Sequence, residues 1–263
     1  MLQKAGLFLL LLHKGSSRRY WEVDALRGLA IALMVIYHLA FDLTYFGYYH
    51  ANVFTGAWRV FGRVSACLFL LLVGVSLAIS FAHIPPQRSG WSRYTIYLTR
   101  GLKLVGWGMV ITLTTWIFMG EPVILFGILH LIGTAVVLAY PFLWLPPLPN
   151  MVLGITFIWS GLFLNALPAA HLWLLWLGLR PPALYQADYF PLLPWFGVVL
   201  IGMSVGQILY PNGRRRFDLP GLGAHSVLQK TAWTGRHSLI IYLAHQPVLF
   251  AALTLACFYV GRK

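Results

Sequence analysis

Apolar residues run along this chain in blocks of about twenty, and nearly all charged positions fall in the short stretches between them. The blocks cover 26–45, 61–82, 98–118, 123–144, 151–167, 192–209 and 239–259. About twenty apolar residues are what a helix needs to cross the hydrocarbon core of a bilayer. The blocks are continuous, without the alternation of a barrel strand, and a helix satisfies its own backbone N–H and C=O groups in lipid. The pattern therefore predicts an all-α polytopic transmembrane bundle of about seven spans. Two shorter apolar stretches do not fit the template. Residues 5–12 follow Lys4 and resemble the core of a signal peptide, but His13-Lys14 and Arg18-Arg19 come next instead of a small-residue cleavage site. Residues 1–18 are thus expected to be retained as a basic, interfacial segment, with 19–263 forming a single transmembrane domain. Residues 169–179 are too short to cross and end at Arg180-Pro181-Pro182, so an interfacial or re-entrant piece is expected.

Composition strengthens this picture. Hydrophobic residues make up 59% of the 263 residues and charged residues 10%, against about 25% charged in an ordinary soluble domain. Most of the surface must face the lipid bilayer. The net charge of +13 would suggest nucleic acid in a soluble protein, but here the basic residues flank the spans rather than forming one stripe, so no nucleic-acid partner is expected. One set of segments holds Lys4, Lys14, Arg18, Arg19, Arg27, Arg88, Arg93, Arg100, Lys103, Arg214, Arg215, Arg216, Lys230 and Arg236. The other holds only Arg59, Arg63, Arg180, Arg262 and Lys263. By the positive-inside rule this places the N-terminus in the cytoplasm and, after seven spans, the C-terminus outside. Cys67 and Cys257 lie inside spans, where a thiol behaves as a small hydrophobe. Gly202 and Gly206 form a small-xxx-small pair that seats a neighbouring helix, within the bundle or across a homodimer.

Ionisable residues within spans are costly, and each is a candidate for function. The first span concentrates them. Asp24 and Arg27 are three apart and can pair at the cytoplasmic edge. Arg27 and His38 are eleven apart, close to three helical turns, or about 16 Å along one face. Asp42 lies one turn further, where a carboxylate can orient the His38 ring and raise its basicity for general-base work. His130 and His245 are each interior to an apolar span, and either a packed or a functional role fits them. Arg63 and Glu121, near outer span ends, can pair across helices or reach the interface separately. Arg236-His237-Ser238 opens the last span, where Ser238 can cap the helix and the exposed amides attract phosphate. No phosphate-binding glycine loop, dinucleotide fingerprint, paired-cysteine spacing or nucleophile elbow is present. The chemistry then rests on histidines and a few carboxylates, and no metal is expected.

Several segments carry a resemblance: 19–31, with Asp24-Ala25-Leu26-Arg27-Gly28-Leu29; 33–38, ending Tyr37-His38; 42–47; Leu72-Val73-Gly74-Val75-Ser76; Gly127-Ile128-Leu129-His130; 189–197, with Phe190-Pro191-Leu192-Leu193-Pro194-Trp195; and 235–247, ending Leu243-Ala244-His245-Gln246-Pro247. Together they resemble bacterial members of the heparan-α-glucosaminide N-acetyltransferase family. The resemblance implies a membrane acyltransferase of the bacterial inner membrane. It would move acetyl from cytoplasmic acetyl-CoA, the donor substrate, to a sugar or glycan acceptor at the extracytoplasmic face. The lysosomal member uses a histidine just beyond its first helix, a place that His50 matches, and has an amide side chain where His38 stands. Related integral-membrane O-acyltransferases carry an arginine and a histidine spaced as Arg27 and His38 are. The catalytic candidates are therefore His38, His50 and Asp42. The candidates for holding the acyl-CoA are Arg27, Asp24, His130, Arg236, His237 and His245, with the arginines at 214–216 as a further phosphate site or a solvated topogenic cluster. A transporter or acyl-donor carrier with a His/Asp proton relay is the alternative.

Overall fold

The computed structural model describes residues 19–119, 123–167, 172–181, 188–221, 223 and 225–260. The expectations for 1–18, for Glu121 and for the first part of 169–179 lie outside these residues. Among the described residues eight α-helices follow in order: α1 (Trp21–Tyr45), α2 (Gly56–Ala82), α3 (Gly90–Met119), α4 (Ile128–Leu138), α5 (Pro147–Leu164), α6 (Leu192–Leu209), α7 (Ser226–Arg236) and α8 (Ser238–Val260). No strand occurs among the described residues. The all-α bundle is as the hydrophobic blocks predict.

Six helices, α1, α2, α3, α5, α6 and α8, are long and apolar enough to cross a bilayer. The block 123–144 behaves differently, because it holds an 11-residue helix and then a 3-10 turn at Pro141–Trp144. The segment nevertheless runs the depth of the bundle beside α3. At one end Thr112 donates to the Ile124 carbonyl, and at the other Tyr140 donates to the Gly90 carbonyl at 2.8 Å. The 22 residues of α3 between those anchors correspond to about 33 Å, so loop, helix and turn together traverse where a single helix was expected. Helices also extend past several predicted ends. α1 starts at Trp21, with Glu22 and Asp24 in its first turn, where carboxylates suit the helix dipole. α3 begins eight residues before its apolar block, because Ser92, Arg93, Tyr94 and Thr95 stay helical beyond the hydrocarbon.

Small residues set the packing. α2 and α6 are the most buried spans, and a Cβ on Gly74 would stand 2.1 Å from the Val199 carbonyl oxygen, one on Gly202 2.2 Å from that of Leu71. Gly202 and Gly206 thus seat α6 against α2 inside the bundle. α5 packs on the other side of α6 through Gly154 and Gly197. α8 lies at the periphery, with none of its apolar window buried. The tightest of these approaches is between α1 and α7. There a Cβ on Gly28 would fall 1.9 Å from the Thr231 oxygen, and one on Gly235 1.8 Å from the Asp24 oxygen.

The bundle is two-faced. Arg215 reaches Glu22 at 3.4 Å, Arg27 reaches Ser76 at 2.6 Å, and Arg100 reaches Ser80 at 2.9 Å. These contacts bring the start of α1, the end of α2, the start of α3 and the end of α6 to one face, together with α7. This basic face gathers the side chains that the topology reading assigns to the cytoplasm.

Candidate active site

Two clusters lie along α1. On the basic face, Arg27 pairs with Asp24 at 3.2 Å and donates its other guanidinium nitrogen to Ser76. The tight α1–α7 contact delivers Arg236 to the same place. Arg19, Asp24, Arg27, Ser76, Ser80 and Arg236 line a cavity of about 230 Å³. A second cavity of about 140 Å³, bounded by Trp21, Gln229 and Leu228, shares Arg19, Asp24 and Arg236 with it. Three arginines against one carboxylate leave this cavity with an excess of positive charge. The arginines at 214–216 line neither cavity, and Arg215 is engaged by Glu22, which also accepts a bond from Tyr210 at 3.1 Å.

About 16 Å along α1, His38 packs edge-on against His245 of α8, with ring centroids 4.8 Å apart at 74°. Each ring holds a backbone carbonyl of its own helix through Nδ1, His38 that of Met34 at 2.9 Å and His245 that of Tyr242 at 2.6 Å. A carbonyl can only accept, so the proton sits on Nδ1 in both rings and each Nε2 presents a lone pair. That is the tautomer a general base needs. One turn further, Asp42 is 1% exposed and accepts a bond from Gln246 Nε2 at 2.7 Å. The expected contact between Asp42 and His38 is thus not made: the i−4 carbonyl takes the His38 N–H, and Gln246 takes the carboxylate.

The other candidates disperse. His50 stands exposed in the loop after α1 and forms no hydrogen bond to another described residue. His130 is buried at the start of α4, where it accepts the Gly127 N–H through Nδ1 at 3.3 Å and lies 3.5 Å from Thr112 Oγ1. It does not line the arginine cavity, since its ring is used to close its own helix start. His237 forms the junction between α7 and α8, donates to the Trp233 carbonyl at 2.9 Å and lies tilted against that indole, 4.5 Å between centroids. It too lies off the cavity. His237 also occupies the flanking position expected for Ser238, which is instead the first residue of α8. Of the six residues expected to hold the donor, Arg27, Asp24 and Arg236 come together, and His245 joins His38 instead.

Three participants were not singled out by sequence reasoning. Gln246 is a neutral side chain next to His245, and an amide inside an apolar span was signal enough. Ser76 lies in a quoted segment but carries no charge. Asp188 falls outside every apolar block, yet it is one of only six acidic residues in the chain. Its Oδ2 accepts the Ile128 N–H at 3.1 Å, so it caps α4 beside His130. Gly127 makes room for it, since a Cβ there would meet that oxygen at 2.4 Å. Burial pushes the Asp188 carboxyl up to about 6, against the downward pull of the Ile128 N–H.

Among the described residues, no group of three or more His, Cys, Asp or Glu side chains is placed to hold a metal ion. No curated protein and no solved structure matches the chain. The family profile described as heparan-α-glucosaminide N-acetyltransferase, catalytic, matches residues 19–247, a stretch that contains both the arginine cavity and the histidine pair. The chain belongs to this family of membrane acetyltransferases.

Proposed function

We propose that the protein transfers acetyl from acyl-CoA, bound at the basic, cytoplasmic face, to a sugar or related acyl acceptor reached from the opposite face, in a bacterial inner membrane. The observation that carries this reading is the placement of two complementary sites on one helix. A cavity edged by Arg19, Arg27 and Arg236 suits the phosphates of CoA, and two histidines with free Nε2 lone pairs stand about 16 Å away, roughly the reach of a pantetheine arm. The thioester of a donor seated in the cavity then lies near His38 and His245.

In the transfer, a histidine Nε2 takes the proton of the acyl-acceptor hydroxyl or amine as that atom attacks the thioester carbonyl. The new C–O or C–N bond forms, the C–S bond breaks, and the proton passes to the departing CoA thiolate. His38 and His245 serve this step better than His50, because they, unlike it, combine a fixed tautomer with a position inside the bundle. The runner-up, a carrier with a His/Asp relay, draws on the same buried groups.

The test is the fate of labelled acetyl-CoA with purified protein in detergent and in liposomes. Saturable binding with release of free CoA supports the transferase. Movement of an intact substrate into liposomes, with no CoA released, supports the carrier and overturns the transferase.

A further inference from the structure

The contact between α1 and α8 leaves a set of buried polar acceptor atoms without a partner among the described residues. Asp42 is almost fully buried and uses Oδ1 for Gln246, while its Oδ2 has no partner among the described residues. Gln246 Oε1 and His245 Nε2 are likewise buried and unpartnered. All three atoms are hydrogen-bond acceptors, given that His245 carries its proton on Nδ1. Pro247, inside α8, has no N–H, so the Leu243 carbonyl loses its usual i+4 donor. None of the ion pairs among the described residues involves Asp42. Buried polar groups are nearly always satisfied, and here every missing partner is a donor.

We propose that Asp42 and Gln246 seat a second O–H or N–H of the acyl acceptor, so the substrate class is one with another hydrogen-bond donor close to the atom that is acylated. This rests on the transferase reading and narrows it. His38 and Asp42 stand one turn apart on α1, opposite the consecutive His245 and Gln246 of α8. An acyl acceptor whose reacting X–H meets a histidine Nε2 therefore brings a neighbouring donor to Asp42 Oδ2 and Gln246 Oε1. A monohydric alcohol leaves both oxygens unpaired, and sites built to bond a polar group discriminate strongly against analogues that lack it. Asp42 and Gln246 take no proton in the reaction. They bind, while the histidine carries the proton to the thiolate.

The experiment compares propan-1-ol with propane-1,2-diol as acyl acceptors for acetyl-CoA, reading free CoA and each acetyl ester by mass spectrometry. The wild type is expected to favour the diol in kcat/KM by about tenfold or more. The double variant Asp42→Leu/Gln246→Leu removes the orphaned acceptors together with their mutual bond and replaces them with an apolar pair. A monodisperse elution profile confirms its fold, and it is expected to form the propyl ester with the diol preference reduced to less than about twofold. Equal use of both alcohols by the wild type overturns the proposal, as does an unchanged preference in the double variant. CoA release with neither ester formed overturns it while leaving the transferase reading standing. No CoA release under any condition overturns the transferase reading and this seat with it.

Discussion

The two ends of the α1 site solve opposite electrostatic problems. On the basic face, three arginines share one carboxylate and two serines around an open cavity, so charge is in excess and solvent can reach it. Within the bundle, His38, His245, Asp42 and Gln246 contact one another with no arginine or lysine among their hydrogen-bond and ion-pair partners, and the unmet demand is for hydrogen-bond donors. An exposed cationic site gains from long-range attraction of a polyanion. A buried site without a cation gains from the cost of leaving its own atoms unpaired. In the proposed transfer, this division gives donor capture to charge and acyl-acceptor choice to hydrogen-bond matching.

Breaking the interior site should have the largest effect. His38→Ala or His245→Ala, whichever ring is the base, is expected to lower CoA release by about 10²–10⁴-fold, the usual contribution of general-base catalysis, with acetyl-CoA binding retained. Steady-state kinetics beside a binding isotherm checks this. The next effect is structural. Gly235→Leu puts side-chain atoms where the Asp24 carbonyl stands, separates α7 from α1 and displaces Arg236. We expect about 1–3 kcal/mol of lost stability, as for other overpacked contacts, read as a lowered Tm in detergent together with weaker acetyl-CoA binding.

The basic face should answer more mildly. Arg236→Gln, which keeps the Arg27–Asp24 pair, is expected to raise KM for acetyl-CoA about tenfold, the cost of one charge-assisted contact, with kcat little changed. Added salt should weaken wild-type binding more than that of the variant. The last effect, on the pH dependence of stability, belongs to Asp188. Its folded carboxyl is raised above the usual carboxylate range of about 4, to about 6. The neutral form is therefore favoured by folding, and this stabilisation is present below about pH 4 and is lost as pH rises through about 6. Asp188→Asn should flatten the fall in Tm across that window, and an unaltered pH–Tm curve contradicts this placement.

The spans were legible in the sequence because apolar length alone selects them, and Asp24, Arg27 and His38 stood out because ionisable groups inside spans are rare. The block 123–144 read as one helix because it is apolar throughout. Gly127, held free of a side chain by Asp188, and Pro141 confine its α-helix to Ile128–Leu138. The roles of Gln246 and Asp188, though not their presence, were unreadable for a shared reason. Each gains meaning only from a partner more than fifty residues away, Asp42 for one and Ile128 for the other, and no pattern local to the chain encodes that pairing. The role of His130 was unreadable in the same way, since a buried histidine closing a helix start and one facing a substrate look alike in sequence.

In the proposed transfer the histidines facing each other inside the bundle perform the chemistry and the exposed loop histidine does not. CoA release from acetyl-CoA by wild type, His38→Ala, His245→Ala and His50→Ala, measured side by side on monodisperse protein, tests it most directly. Activity should be lost with His38 or His245 and kept within a few-fold without His50. Activity abolished by His50→Ala and preserved in both interior variants contradicts it.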